Sequence, residues 1–397
     1  MRLPEEIPEE IATRAYVPYP ASRVLGEVVY RERLRKIAAA SAVADRPHRL
    51  GPVEKPQVPR FLARKDRLCE RVMTSPQLAL VTGASGFIGH ALCGRLTDCG
   101  VRVRALIRRP VAGPWNEVVV ADIGAEGILG SVASGVDTVF HLAAKVHDSA
   151  GTDEDEAAYR RVNVDGTRRI LAASVGAGVR RFVYVSTVKA MGEGGAHCLD
   201  ETYSPAPKTA YGRSKREAED LAIAAGQQHG MHVVILRLPL VYGAGSKGNL
   251  SLMLRAVARR RFPPLKDSGN KRSMVHIDDV VAALMLVASH RGAAGQTYIV
   301  TDGQVYSTRQ IYILMCEALG RQAPAWAVPP GLLSGLAGLG DRIGRLLGKR
   351  FAFDSVTLHK LTSSAWYDSR KIERDLGFRA CHNLKEALPD MVRALRR

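Results

Sequence analysis

The chain has 397 residues, 46% of them hydrophobic and 24% charged, and a formal net charge of +18. That length and balance fit a globular protein with a large core and two or three domains, and exclude a fibrous or low-complexity chain. The positive charge is scattered, with no nucleic-acid motif or interleaved aromatic platform. It therefore argues for an anionic small-molecule substrate and against specific nucleic-acid binding.

Residues 1–75 stand apart. They carry charged runs such as Arg31-Glu32-Arg33-Leu34-Arg35-Lys36 and a proline-rich segment from Pro47 to Pro59 that cannot be regular. Val24 to Ala44 can form one helix. We read 1–75 as an extension, either without fixed structure or arising from a start assigned too far upstream, with Met73 as the alternative start. Glu5, Glu6, Glu9 and Glu10 and the lack of a long apolar run argue against a secretory signal or transit peptide. Six cysteines without C-x-x-C spacing read as reduced thiols of a cytoplasmic protein with no metal site.

From residue 78 onward, strand-like apolar runs alternate with helical patterns. The strands expected are 78–82, 101–107, 117–121, 137–142, 181–186 and 232–237, with helices at 87–99, 157–176 and 209–229. Such alternation predicts an α/β protein with a doubly wound parallel sheet of Rossmann type. Residues 76–244 form its dinucleotide-binding domain. Residues 245–397 form a smaller α/β substrate lobe interleaved with it.

The first strand runs directly into Thr82-Gly83-Ala84-Ser85-Gly86-Phe87-Ile88-Gly89 and then a helix. A strand, a glycine turn and a helix in that order is what a dinucleotide-binding loop requires. Gly83 permits the turn, Gly86 admits a pyrophosphate, and Gly89 lets helix and strand pack closely. Ser85, Phe87 and Ile88 complete the loop at the helix N-terminus, whose N–H groups face the phosphates.

After the second strand come Arg108 and Arg109, with no acid nearby to hold a ribose hydroxyl. That leans towards NADP but leaves NAD open. Further on, strand five ends Ser186-Thr187, and Tyr211-Gly212-Arg213-Ser214-Lys215 comes after it. Tyrosine and lysine four apart share one helix face. An unperturbed tyrosine, with a pKa near ~10, is a poor base at neutral pH, and an adjacent ammonium favours its phenolate. Thr187 supplies a hydroxyl for the reacting oxygen. Cys198 and His197 lie side by side in a glycine-rich loop without a third partner, and carry no chemistry.

The glycine turn, the threonine and Tyr-x-x-x-Lys, in that order, resemble the extended short-chain dehydrogenase/reductases, and within them the NAD-dependent epimerase/dehydratase family. The resemblance runs from about 77 to 393, and draws in Asp122-Ile123, His141-Leu142-Ala143-Ala144, Asn163, Leu236–Gly243 and Arg272–Val280. It implies cofactor contacts from Asp122, Ile123, Leu142, Ala143, Ala144, Tyr211, Lys215 and Pro239, with Asn163 bracing the site and Arg108 near the adenosine ribose. It implies substrate contacts from Thr187, Asn249 and Arg272, the last as a clamp on a diphosphate. The segments 186–194, 210–215 and 245–249 look most like the UDP-glucose 4-epimerase subgroup, which includes 4-ketoreductases that form UDP-N-acetylquinovosamine. Val188-Lys189 stands where dehydratases carry Asp-Glu, so dehydration is not expected.

The expected activity is hydride exchange at carbon four of a UDP-hexose in surface-polysaccharide precursor synthesis. Epimerase and reductase versions both remain open, as does NAD or NADP. The rival is a non-catalytic dinucleotide-binding sensor or assembly protein, which commonly lacks the Tyr or the Lys. Analogy implies a homodimer through helices 157–176 and 209–229. The stretch 331–348 reads as an amphipathic surface helix, with Asp341, Arg342 and Arg345 interrupting an apolar run too short to span a membrane. A weak peripheral membrane contact is the expectation drawn from it.

Overall fold

The computed structural model describes residues 78–125, 130–146, 153–192, 194–203, 205–347 and 353–395. The expectations for residues 1–75 lie outside them. Nine strands are described: β1 (Leu78–Thr82), β2 (Arg102–Ile107), β3 (Glu117–Val120), β4 (Thr138–His141), β5 (Arg181–Thr187), β6 (His232–Leu238), β7 (Leu240–Tyr242), β8 (Met274–His276) and β9 (Thr297–Ile299). Seven form one parallel sheet in the order β3-β2-β1-β4-β5-β6-β9, and β7 pairs with β8 beside it.

The sheet is buried on both faces, which is why β1 reads as an unbroken apolar run. Along it, Leu78 and Leu80 enter one core, and Ala79 and Val81 the other. Helix α1 (Phe87–Asp98) covers one face with Leu92 and Leu96. On the other, α2 (Asp153–Tyr159) runs through a π-helical turn, Arg160–Asp165, into α3 (Gly166–Gly176), and α4 (Ala210–His229) packs beside them. Their apolar side supplies Ile170, Leu171, Ala218 and Ala222.

The sequence predicted the first six strands to within a residue or two. It did not single out β7, β8 or β9, each only three residues long. β9 adds the last strand to the main sheet from well beyond residue 245. Between them come α5 (Asn249–Ala258) and α6 (Ile277–Ser289), and α6 returns to the face that α1 covers, with Val280, Leu284 and Val287. The smaller lobe packs α5, α7 (Thr308–Ala318) and a C-terminal helix around Tyr242, Leu254, Met274, Met315 and Leu388. Before that last helix, α8 (Pro330–Leu347) and α9 (Ser355–Thr362) form a hairpin, α10 (Arg370–Leu376) packs near β9, and α11 (Leu384–Leu395) ends the described chain.

Cys93, Cys198, Cys316 and Cys381 are not disulfide-bonded. Cys99 is disulfide-bonded. This corrects the expectation that every thiol is reduced, because spacing along a chain does not show which cysteines folding brings together.

Candidate active site

The strand order reverses between β1 and β4, so a crevice opens beyond their carboxyl ends, where ligands of such sheets bind. Gly83 lies there at φ +68°, and a β-carbon on it would stand 2.9 Å from the amide nitrogen of Ala143. Only glycine meets both demands. A β-carbon on Gly89 would fall 2.3 Å from the carbonyl oxygen of Gly83, so the first turn of α1 lies directly on the loop. Gly86 caps α1 without a side-chain hydrogen bond, and no acid sits in the first turn. The helix therefore presents its N–H groups and positive end beside exposed Ser85, with Phe87 and Ile88 half-buried behind it.

A buried polar chain ties the two sides of the crevice together. Thr82 Oγ1 accepts from the amides of Leu142 and Ala143, both at 3.1 Å, so its own proton goes to His141 Nδ1 at 2.7 Å. His141 Nε2–H then donates to Thr167 Oγ1 at 3.0 Å, and the Thr167 hydroxyl donates to the Asn163 carbonyl at 2.6 Å. The network dictates this tautomer. Burial holds the imidazole neutral, with a pKa down to about 3.

Asn163 is fully buried. Its Oδ1 accepts from the Lys145 amide at 2.8 Å, and its Nδ2 donates to Ser214 Oγ at 2.9 Å. Ser214 Oγ in turn donates to the Tyr211 carbonyl at 2.9 Å. Asn163 thus braces α4 against the segment after β4. The remaining cofactor candidates line the carboxyl side of the sheet. Arg108 and Arg109 are exposed past β2, and Leu142, Ala143 and Ala144 are half-buried past β4. Asp122 accepts from the Gly124 amide at 2.9 Å, Ile123 is buried against Gly166, and Pro239 joins β6 to β7.

Thr187 ends β5, and its Oγ1 caps the 3-10 turn Val188–Met191 by accepting from the Lys189 amide at 3.3 Å. Thr209 caps α4 by accepting from Gly212 N at 3.0 Å. A β-carbon on Gly212 would stand 2.6 Å from the Lys189 carbonyl oxygen, so α4 presses its first turn onto the turn that succeeds Thr187. Tyr211 is therefore held at the carboxyl end of β5, nearly buried, with the Tyr159 ring 5.9 Å away and Lys189 Nζ 5.7 Å from its own ring centre. One turn on, Lys215 Nζ donates to the Val185 carbonyl at 2.7 Å and lies 4.0 Å from the centre of the Tyr184 ring. Burial lowers its pKa to about 7, opposed by the charge of Glu219, which pairs with Arg237 beneath at 2.7 Å.

Asn249 opens α5 and is exposed. Arg272 has its guanidinium engaged by main chain: Nη2 donates to the carbonyls of Lys360 and, at 3.1 Å, of Ser363, at the end of α9. Sequence reasoning missed Gly212, Lys189 and Tyr159 as shapers of the Tyr211 environment. The glycine was visible inside the Tyr-x-x-x-Lys motif, but nothing in the sequence showed which backbone it would touch.

A second polar cluster lies at the start of α6. Ligating atoms of His276, Asp278 and His382 come within 4.8 Å of one another. However, His276 Nδ1 accepts from the Asp278 amide at 3.3 Å, and His382 Nδ1 donates to Asp279 at 3.0 Å. The positive end of α6 disfavours a cation there. The cluster caps the helix and ties the chain before α11 to it.

A glycine-bounded helix N-terminus at the reversal point and a Tyr–Lys helix face against the next strand define a dinucleotide-dependent enzyme of the short-chain dehydrogenase/reductase class. The crevice suits such a cofactor: α1 is uncapped by any side chain, and the buried Ser186 hydroxyl at the end of β5 has no hydrogen-bond partner among the described residues. Comparison with known proteins makes the assignment specific. The chain belongs to the NAD dependent epimerase/dehydratase family, which it matches over residues 79–301. It is 30% identical over 336 residues to a UDP-glucose 4-epimerase of Vibrio cholerae, covering 82% of this chain and 98% of that one. It is also 30% identical over 312 residues to a 4-hydroxy-2-methyl-3-oxo-4-farnesyl-3,4-dihydroquinoline-1-oxide ketoreductase of Stigmatella aurantiaca, covering 75% and 90% of the two chains. Among solved structures, MoeE5 in complex with UDP-glucose and NAD aligns with a TM-score of 0.64 and 29% identity, over 80% of this chain and 98% of that one.

Proposed function

We propose that the chain exchanges hydride at carbon four of a UDP-hexose, as a 4-epimerase or a 4-ketoreductase in the supply of surface-polysaccharide precursors. The observation that carries this reading is the Tyr211–Lys215 face of α4 lodged against the carboxyl end of β5, beside Thr187. The name of one similar protein, a UDP-glucose 4-epimerase, supports the sugar substrate, and that of another, a ketoreductase of a quinoline oxide, supports ketone reduction alone.

When bound, the nicotinamide supplies hydride chemistry. The chain's own residues do the rest. Tyr211 gives its phenol proton to the sugar O4 in reduction, and as the phenolate takes the O4 proton in oxidation. Thr187 hydrogen-bonds the same oxygen, and Lys215, anchored on Val185, holds the ribose beside Tyr211. Arg272 and Asn249 bind the substrate diphosphate, Arg272 by turning part of its donor fork from the α9 carbonyls. The protein works in the cytoplasm as a homodimer through α2–α3 and α4. Those helices are already joined by the ion pairs Arg160–Glu217 at 3.0 Å and Arg213–Glu156 at 2.7 Å.

The test is a panel of UDP-hexoses and UDP-4-keto sugars with NAD, NADP and their reduced forms. Stoichiometric consumption of reduced nicotinamide identifies a reductase; sugar interconversion with the cofactor unchanged identifies an epimerase. Tyr211→Phe should lower turnover by about 10²–10⁴-fold while dinucleotide binding persists. Turnover equal to wild type would remove Tyr211 from the mechanism, and dinucleotide binding without turnover on any substrate would favour a sensor.

A further inference from the structure

The α8–α9 hairpin carries an apolar row turned away from its own partner helix. α8 packs chiefly on α9 and buries Leu333, Ala337 and Gly340. Asp341 pins the pair by accepting from the amide and hydroxyl of Ser355, at 3.2 and 2.5 Å. At helical spacing, Leu332, Leu336 and Leu339 form a separate stripe, exposed by 57, 48 and 51%. Trp326, just before α8, is 65% exposed, and Val356 in the first turn of α9 is 49% exposed. Five of the ten strongly exposed large apolar side chains among the described residues therefore fall between 326 and 356. Such clustering marks a contact surface, whereas scattered exposed leucines do not.

The charge around the stripe selects the partner. Asp341, the one acid of α8, is engaged by Ser355, whereas Arg342 and Arg345 are exposed. Arg342 borders the leucine row and can keep its guanidinium in water while its stem lies along apolar surface. A second copy of this helix would offer the same arginines and no exposed acid to meet them. An anionic bilayer offers both an apolar interior and phosphates.

We propose that the α8–α9 hairpin docks flat on an anionic lipid surface. Leu332, Leu336 and Leu339 enter the boundary of the acyl chains, Trp326 sits at headgroup level, and Arg342 meets lipid phosphates. The contact is peripheral, and no helix among the described residues is long and apolar enough to cross a membrane.

Flotation of the full-length protein with phosphatidylglycerol-containing vesicles, against pure phosphatidylcholine vesicles, tests this. Wild type should float with the anionic vesicles only. Leu336→Glu with Leu339→Glu should cut the bound fraction by about tenfold or more, since two buried leucines are replaced by charges. Arg342→Gln should weaken binding at low salt and make little difference at high salt. Both variants should keep the wild-type thermal stabilisation by NAD, which reads folding. If the glutamate variant unfolds, Leu332→Ser with Leu336→Ser reads the same loss. Wild type that stays unbound, or a glutamate variant that floats like wild type, overturns the proposal. So does a leucine variant that turns a dimer into a monomer while neither form binds vesicles, because the stripe is then an interface between copies.

Discussion

His141 is a histidine kept from ionising. It accepts a hydrogen bond from Thr82, donates one to Thr167, and is fully buried, and that burial sets its folded pKa at about 3, far below the ordinary 6.5. Between those values the unfolded chain binds a proton that the folded chain refuses, so stability is complete above pH 6.5 and is lost as pH falls towards 3. From pH 6.5 to 5 this one group should cost about 2 kcal/mol. Urea midpoints of wild type and His141→Asn measured at pH 7 and pH 5 check it: the wild type should lose more on acidification, and an equal loss would mean that His141 does not titrate as described. Lys215 shifts in the same sense, so its burial also favours the fold as pH rises through about 7 towards 10.5. At this scale the sequence was informative where chemistry depends on local spacing. Tyr211 and Lys215 were legible because four residues make one helix face. The engagement of Arg272 by α9 was not, because its partners lie some ninety residues away.

Helix α4 shows how an element aims a side chain. Its capping threonine, the glycine beside Tyr211 in its first turn and the Asn163–Ser214 bond together fix where Tyr211 stands. Gly212→Ala would set a β-carbon 2.6 Å from a main-chain oxygen that cannot swing aside. Helix and turn must part by a fraction of an ångström to an ångström. A displacement of that size should lower turnover by about tenfold to a hundredfold. Dinucleotide affinity should change less, because the loop after β1 is untouched; equal losses in both would place Gly212 in folding rather than aiming. The central strands were legible because two-sided burial demands unbroken apolar runs. β7, β8 and β9 were not, since three residues carry no period and their pairing is decided by distant chain.

On the scale of the whole molecule, the dinucleotide domain cannot be separated from residues 245–397. β9 extends the main sheet, and α6 covers one of its faces with Val280, Val281, Leu284, Met285 and Val287. A chain cut after residue 244 would lose that cover and expose β6 as an edge. We expect such a truncation to be insoluble or without a cooperative transition, and the full chain to melt once by calorimetry. A soluble, cooperatively folded 1–244 fragment would contradict this.

Where Gly83 lies against Ala143, the floor of the crevice is bare main chain. Most amino-acid replacements leave such a floor unaltered, and those at the glycines can only add bulk to it. We propose that divergence in which dinucleotide is preferred arises at the rim, where Arg108 and Arg109 stand in solvent. On that reading, a descendant of this chain changes its cofactor at the rim and keeps the main-chain floor as it is.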